Sequence, residues 1–259
     1  MSVKNADRKA CYGIAVDLGT TTIAVYLCNT TTGRILSSLA VKNPQVLYGD
    51  DIMSRIGAIG QKGKNLGHLQ KMVVRAIEWG AKGLLASFDL KEKMVSQMVI
   101  VGNPTMIHIL ASVDPKPIGV SPYQPAFYKA KTIHSNVLGF QFDVLIQILP
   151  QISGFIGGDI LSAGAFGTFL DKKDMIALGM IPSLDLAKIE TAGNLAGAGA
   201  VMILCNDTYL KKTIQLAKQI NVVDLACDQK FQPLLESTEG FDGGGQDLIF
   251  LESNTFNIL

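Results

Sequence analysis

The chain has little charge and almost no excess of either sign. Of its 259 residues, 17% are charged, with 23 lysines and arginines against 22 aspartates and glutamates. A formal net charge of +1 creates no field that would attract nucleic acid or an anionic membrane, so we expect neither as a partner. Hydrophobic residues make up 48% of the chain, which is enough for a sizeable core and predicts a globular fold.

Cysteine is also scarce, and no C-x-x-C pair occurs. Cys11, Cys28, Cys205 and Cys227 lie far apart in the sequence, which predicts neither a zinc ribbon nor an iron–sulfur cluster. The polar N-terminal residues do not resemble a signal peptide. The most apolar stretch, 192–205, is short for a membrane span and fits a packed helix better. We therefore expect reduced cysteines and a cytoplasmic location.

The spacing of the hydrophobic residues changes along the chain, which predicts a mixed α/β fold. The first part contains short β-branched runs separated by turn residues, a pattern typical of strands. Three such runs, at Tyr12–Asp17, Thr22–Leu27 and Arg34–Val41, predict an antiparallel meander. Apolar residues then recur about every 3.6 residues, as in helices.

The later predicted elements alternate between helices and strands. They are a helix ending at Gly60, a helix at 66–88, a strand at 98–101, a helix at 104–111 and a strand at 144–149. Three antiparallel strands followed by helix, strand, helix and strand are typical of the ribonuclease-H-like core.

The strongest chemical signal is Asp17-Leu-Gly-Thr-Thr-Thr22, at the tip of the first predicted hairpin. Gly19 would let a phosphate come close to the backbone, and the N–H groups and hydroxyls of Thr20, Thr21 and Thr22 could donate to its oxygens. Asp17 could hold a hydrated magnesium ion beside them, as a metal ligand and catalytic residue. A tight hairpin with a threonine-rich second strand is the alternative interpretation.

Four motifs in this order resemble the ATP-dependent reductive activators of corrinoid proteins. They are Tyr12–Thr22, residues 43–56, Val101–His108 and Ile152–Ile160. The second motif contains Asn43-Pro-Gln45 and Tyr48-Gly-Asp-Asp-Ile-Met-Ser-Arg-Ile56. That family belongs to the actin-like ATPases of the ASKHA superfamily (acetate and sugar kinases, heat-shock chaperones and actin), in which two ribonuclease-H-like lobes close over ATP. The resemblance implies ATP and Mg²⁺ as cofactors, and a corrinoid protein or its methyltransferase as partner.

The resemblance also implies roles for individual residues. Residues 17–22 would form the first phosphate loop, and Gly102, Asn103, Gly158 and Asp159 would line the cleft between the lobes. Asp159 would then be a catalytic residue that positions water or magnesium. An ordinary helix N-cap is its alternative interpretation.

A second set of matches resembles the C-terminal end of the same family. It includes Ala163–Gly167 and Gly193–Ala200. The resemblance implies that Gly164 and Gly167 make room for adenosine, because glycine places no Cβ between the backbone and a flat ring. The alternative for 193–200 is a helix that packs closely on its neighbour.

The sequence departs from the family pattern between these two sets of motifs. Asp159-Ile-Leu-Ser-Ala163 runs almost directly into Gly164, and the D-x-G-T motif occurs once. We therefore expect most of the second lobe, and a ferredoxin-like domain with its iron–sulfur cluster, to be missing. The expected organisation is a disordered N-terminus (1–11), a first ATPase lobe (12–162), a mainly helical remnant of the second lobe (163–239) and a loose tail (240–259). Apolar surface left by the missing lobe would favour a homo-oligomer.

Three functions are compatible with these motifs. An ATP-binding activator would use hydrolysis to drive reduction of an inactive cobalt centre. A non-catalytic, partner-binding remnant is the second, because one phosphate loop supplies only part of the positioning and electrostatics of phosphoryl transfer. A small-molecule kinase ranks lowest, since no residue stands out as a base for a hydroxyl acceptor.

The other polar residues of the motifs can be explained by structure as well as by function. Asp50, Asp51 and Arg55 could face a partner, or cap and pair along one helix. His108 is expected to be an interior histidine with satisfied hydrogen bonds rather than a metal ligand.

Overall fold

The computed structural model describes residues 12–161, 173 and 194–221, and in this part of the chain a six-stranded mixed sheet forms the centre of the fold. The strands are β1 (Tyr12–Leu18), β2 (Thr22–Asn29), β3 (Arg34–Lys42), β4 (Val95–Gly102), β5 (Lys131–His134) and β6 (Leu145–Ile148). Their order in the sheet is β3-β2-β1-β4-β6-β5. Strands β1, β2 and β3 pair antiparallel, whereas β4 runs parallel to both β1 and β6.

The predicted meander is therefore confirmed, and so are the two later strands. Strand β5 was not predicted; it pairs antiparallel with β6 at the edge of the sheet. It has only four residues, which alternate between half-buried and exposed, and it follows a stretch rich in proline. So short a run carries too little hydrophobic pattern to identify it as a strand.

The structure describes six helices. They are α1 (Ile52–Gln61), α2 (Lys64–Ser87), α3 (Pro104–Leu110), α4 (Gly158–Leu161), α5 (Leu195–Cys205) and α6 (Asp207–Gln219), with 3₁₀ turns at Pro44–Tyr48, Glu92–Met94, Lys116–Ile118 and Ser135–Leu138. Helices α1, α2, α3 and α5 lie close to the bounds predicted from the sequence, whereas α6 was not predicted. Within the described residues, none of these helices has the length and apolar character needed to cross a bilayer.

One face of the sheet is covered by α2, whose apolar positions recur at helical spacing. The buried residues of this stripe are Val73, Ile77, Ala81 and Leu84. Gly80 allows close contact between helix and sheet, because a Cβ at this position would lie 3.2 Å from Cγ2 of Val25. This face contains the larger of the hydrophobic clusters, in line with the amphipathic pattern of α2.

The opposite face is covered by α5, which is built from small and apolar residues. It buries Ala196, Ala200, Val201 and Leu204 against Ala15, Cys28 and Val99 of the sheet. A Cβ on Gly197 would lie 2.4 Å from the hydroxyl oxygen of Tyr26, so glycine allows this close approach without a shift of the tyrosine ring. Close helix packing, the structural alternative for 193–200, is therefore observed from Leu195 onward.

The parallel strands bring the candidate site residues to one edge of the sheet. Leu18 at the end of β1 lies beside Gly102 at the end of β4, and Ile100 of β4 pairs with Ile148 at the end of β6. The segments that follow these three strands therefore leave the sheet at its carboxyl edge. Ligands of open α/β sheets commonly bind at this edge.

Candidate functional site

The bend between β1 and β2 is tight. The Gly19 N–H donates to the Thr22 carbonyl at 3.0 Å. A Cβ on Gly19 would lie 2.5 Å from that same carbonyl oxygen, which no residue with a side chain could tolerate without moving the backbone. The bend can therefore adopt this conformation only with glycine at position 19.

Three successive carbonyls of the bend are held from the protein side. Asn43 donates through Nδ2 to the Gly19 oxygen at 3.0 Å and through its backbone N–H to the Thr21 oxygen at 2.8 Å. Arg55 donates through Nη2 to the Thr20 oxygen at 2.7 Å. The motif at residues 17–22 does not predict these contacts, because Asn43 and Arg55 lie far from it in the sequence.

Anchoring these carbonyls also orients the N–H groups of the bend. In a trans peptide the C=O and the following N–H point in opposite directions. The N–H groups of Thr20, Thr21 and Thr22 therefore point away from Asn43 and Arg55. Among the residues that the structure describes, the Thr20 and Thr21 N–H groups have no acceptor. They form a pair of backbone donors available to an anion.

The turn after β4 packs directly on this bend. Asn103 caps α3 by accepting from the Met106 N–H at 3.0 Å, and its Nδ2 donates to Oγ1 of Thr20 at 3.0 Å. A Cβ on Gly102 would lie 2.8 Å from the Leu18 carbonyl oxygen. Gly102 and Asn103 are thus brought to the predicted phosphate loop, and Asn103 leaves the Thr20 hydroxyl proton free to be donated elsewhere.

A third glycine turn, after β6, completes the cluster. A Cβ on Gly157 would lie 2.6 Å from the Gly102 carbonyl oxygen, and one on Gly158 would lie 2.7 Å from Cβ of Leu149. Burial raises the pKa of Asp159, the N–H of Ile160 lowers it through a hydrogen bond, and the negative charge of Asp17 raises it further. Asp17 and Asp159 therefore interact electrostatically.

The Asp17 carboxylate lies buried near the end of β1. Asn194, which caps α5 by accepting from the Gly197 N–H at 2.8 Å, donates through Nδ2 to Oδ2 of Asp17 at 2.9 Å. Burial raises the pKa of Asp17, and the hydrogen bond from Asn194 opposes that shift. A buried carboxylate that accepts from an amide is a group that a cation would stabilise in its ionised form.

Comparison with known families decides where the chain belongs. Residues 12–173 match the family model for the RACo middle region, and residues 158–239 match the model for the C-terminal domain of RACo, the ASKHA domain. This chain is a member of the RACo family. The predicted family and the actin-like ATPase fold are both confirmed.

Two individual relatives of this RACo chain agree with that assignment. The corrinoid activation enzyme RamQ of Eubacterium limosum is 28% identical over 210 residues, which cover 76% of this chain and 35% of RamQ. The solved structure of a reductive activator for corrinoid, iron-sulfur protein is 27% identical, with a TM-score of 0.59 over 67% of this chain and 27% of that one. The chain thus spans about a third of the length of the curated relative it matches.

Most of the predicted site residues of this RACo chain lie together at the carboxyl edge of the sheet. The cluster contains Asp17, Gly19, Thr20, Thr21, Thr22, Gly102, Asn103, Gly158 and Asp159. Gly164 and Gly167, the predicted adenosine residues, lie outside the described part of the chain. The sequence motifs did not assign a role in this site to Asn43, Arg55 or Asn194, whose contacts with the bend and with Asp17 leave no local pattern.

The two sequence interpretations of Arg55 are wrong. Its side chain is fully buried rather than exposed to a partner, and it donates to loop carbonyls rather than pairing with an acid along α1. Asp51 does cap α1, accepting from the Ser54 N–H at 2.9 Å. His108 is an interior histidine with satisfied hydrogen bonds, as predicted: it contacts the Pro104 carbonyl at 2.7 Å and accepts from the Ala126 N–H at 2.9 Å.

We predict that Asp17→Asn raises the melting temperature at neutral pH. Because the pKa of Asp17 is higher in the folded chain than in the unfolded one, its ionised form opposes folding once the pH exceeds the folded value. Asparagine removes that charge and keeps an acceptor for Asn194. The gain should shrink as the pH falls and the wild-type carboxyl takes up its proton.

Thermal unfolding of both chains across a pH series measures this difference. Asp89→Asn is the matched control, because Asp89 is exposed and forms no ion pair among the described residues, and its effect should stay within about 0.5 kcal/mol. A lower melting temperature for Asp17→Asn than for wild type at neutral pH would contradict the assignment.

Proposed function

We propose that this chain binds Mg·ATP through the bend after β1, as the nucleotide-binding part of an ATP-dependent activator of a corrinoid protein. The observation that carries the proposal is the anchoring of the Gly19, Thr20 and Thr21 carbonyls, which turns the following N–H groups away from the protein. Membership of the RACo family, with its ASKHA domain, supports a nucleotide as the ligand.

A polyphosphate suits the donors of this bend. Successive backbone N–H groups that have no acceptor in the described part of the chain can form an anion-binding concavity, and the Thr20 hydroxyl adds a further donor. Gly19 keeps the bend tight, so the backbone itself can approach the phosphate oxygens. Gly102, Asn103 and Gly158 would line the cleft beside it, and Gly164 and Gly167 would accommodate adenosine.

Asp17 and Asp159 are the residues that we expect to hold magnesium, directly or through water. Their carboxylates are oxygen ligands of the kind that Mg²⁺ prefers. The pKa of each is raised by burial, and a divalent cation beside them would favour their ionised forms. Magnesium bound there would neutralise charge on the phosphates. Asp159 is also the candidate for orienting the attacking water.

The partner that we infer is a corrinoid protein or its methyltransferase. RamQ is a corrinoid activation enzyme, and the solved relative is a reductive activator for a corrinoid, iron-sulfur protein. In this proposal, ATP hydrolysis drives the conformational change that makes reduction of an inactive cobalt centre possible. The remainder of the activity would require modules beyond the third of RamQ that this chain matches.

A second candidate is ATP binding without hydrolysis, as a partner-binding module. The single D-x-G-T motif in the sequence favours it, because one phosphate loop supplies only part of the stabilisation that phosphoryl transfer needs. Release of inorganic phosphate by the purified chain in magnesium buffer supports the first candidate. Binding of ATP with no release above background supports the second.

We predict that Gly19→Ala weakens ATP binding at least about tenfold, equivalent to about 1.4 kcal/mol. The new Cβ would lie 2.5 Å from the Thr22 carbonyl oxygen, so the bend would have to open. Gly57→Ala is the matched control, because its Cβ would meet nothing within 4 Å. Titration calorimetry with Mg·ATP compares the three chains, and equal affinities would remove the bend from the binding site.

We also predict that Asp17→Asn weakens the binding of ATP with magnesium but not the binding of ATP alone. In magnesium buffer the variant should bind ATP about tenfold more weakly, because a neutral amide is a poorer ligand for Mg²⁺ than a carboxylate. With EDTA in place of magnesium, the two chains should differ little. An equal loss of affinity in both buffers would show that Asp17 supports the bend rather than the metal.

A further inference from the structure

Arg55 of α1 is a buried guanidinium directly behind the bend. Its exposed fraction is 0%. It donates to four groups: through Nε to the Gly49 oxygen at 3.0 Å, through Nη1 to Oε1 of Gln45 and to Sδ of Met106, both at 3.1 Å, and through Nη2 to the Thr20 oxygen at 2.7 Å. The guanidinium group therefore fixes the bend relative to α1 and to the start of α3.

None of these four acceptors carries a formal charge. Among the residues that the structure describes, no carboxylate lies within ion-pair distance of the Arg55 guanidinium. Asp50 and Asp51 act on it only from a distance, and both are exposed, with Asp51 engaged in capping α1. A buried charge with no counter-ion is costly for a fold, so a cation here calls for an explanation beyond packing.

Holding a carbonyl does not by itself require a cation. Asn43 fulfils the equivalent role at the neighbouring Gly19 carbonyl with a neutral amide. The two anchors differ in that Arg55 carries a positive charge. That charge lies next to the peptide group that joins the Thr20 carbonyl to the Thr21 N–H. That charge lies on the protein side of the bend, and the free N–H groups lie on the other side.

We propose that Arg55 is a positioning residue that holds the Thr21 N–H towards the phosphates and supplies, through the loop, the buried counter-charge for them. It does not touch the ligand; it acts through the Thr20 peptide. This inference rests on the proposed function, and it makes the bound polyphosphate the missing anionic partner of the guanidinium. The bend would thus bind anions more tightly than its N–H groups alone could.

Gln45 offers an independent test of the charge. Its Oε1 accepts from Nη1 of Arg55 and, at 3.5 Å, from Nδ2 of Asn43, and its Nε2 donates to the Leu69 oxygen at 2.8 Å. Gln45→Glu keeps the guanidinium in place but gives it a carboxylate partner, which would neutralise it. The variant also loses the donor to Leu69, so its melting temperature must be recorded beside its affinity.

Titration calorimetry of the full 259-residue chain with Mg·ATP and Mg·ADP tests the proposal. Arg55→Gln should weaken ATP binding about tenfold or more, and ADP binding by a smaller factor, because ADP carries less charge. Gln45→Glu should show the same pattern, and Arg55→Lys, which keeps the charge, should recover part of the loss. Arg75→Gln, at an exposed arginine of α2, is the matched control and should bind as wild type does.

Each outcome of this test decides between the two levels of the proposal. Failure of wild type to bind ATP would overturn the proposed function, and the role of Arg55 with it. Wild-type affinity in a folded Arg55→Gln chain would overturn the inference alone, as would equal losses for ATP and ADP. If Arg55→Gln does not fold, Gln45→Glu decides in its place. Unchanged ATP affinity in Gln45→Glu would overturn the proposal that the charge of Arg55 acts as a counter-charge for the phosphates.

Discussion

The site depends on three hydrogen bonds to consecutive carbonyls of one bend. Asn43 holds the Gly19 and Thr21 oxygens, and Arg55 holds the Thr20 oxygen between them. Since peptide planes are rigid and trans, fixing the oxygens on one side fixes the following N–H groups on the other. An unanchored hairpin tip could turn its donors inward or pair them with its own carbonyls. Here the hydrogen bonds from Asn43 and Arg55 hold the carbonyls in one orientation and exclude those arrangements.

The sheet makes this anchoring possible by placing distant segments next to the bend. Asn43 follows β3, whose antiparallel pairing with β2 returns the chain to the tip of the first hairpin. Asn103 follows β4, which runs parallel to β1 and ends beside it. Helix α5, on the face of the sheet opposite α2, brings its N-cap Asn194 to the Asp17 carboxylate. The contacts of Asn43 and Asn103 are thus consequences of strand order and direction.

Sequence patterns predicted the fold and singled out residues that the fold brings together at one edge of the sheet, but not how the bend is supported. Strand and helix periods repeat over many residues, so the meander, α2 and α3 could be recognised from them. A single side-chain amide that reaches a carbonyl 24 residues away, as Asn43 does, leaves no repeat to detect. Arg55 was misread for a related reason: an arginine on a helix next to Asp50 and Asp51 is usually a surface residue, and only the tertiary structure reveals its burial.

The proposed function requires that the Thr20 and Thr21 N–H groups donate hydrogen bonds to the phosphates. Amide chemical shifts in ¹⁵N NMR spectra, recorded while the chain is titrated with Mg·ATP, test it most directly. We expect saturable downfield proton shifts at these two amides, because new charge-assisted hydrogen bonds form, together with slower solvent exchange. Saturable ATP binding that leaves both amides unshifted and freely exchanging would contradict it.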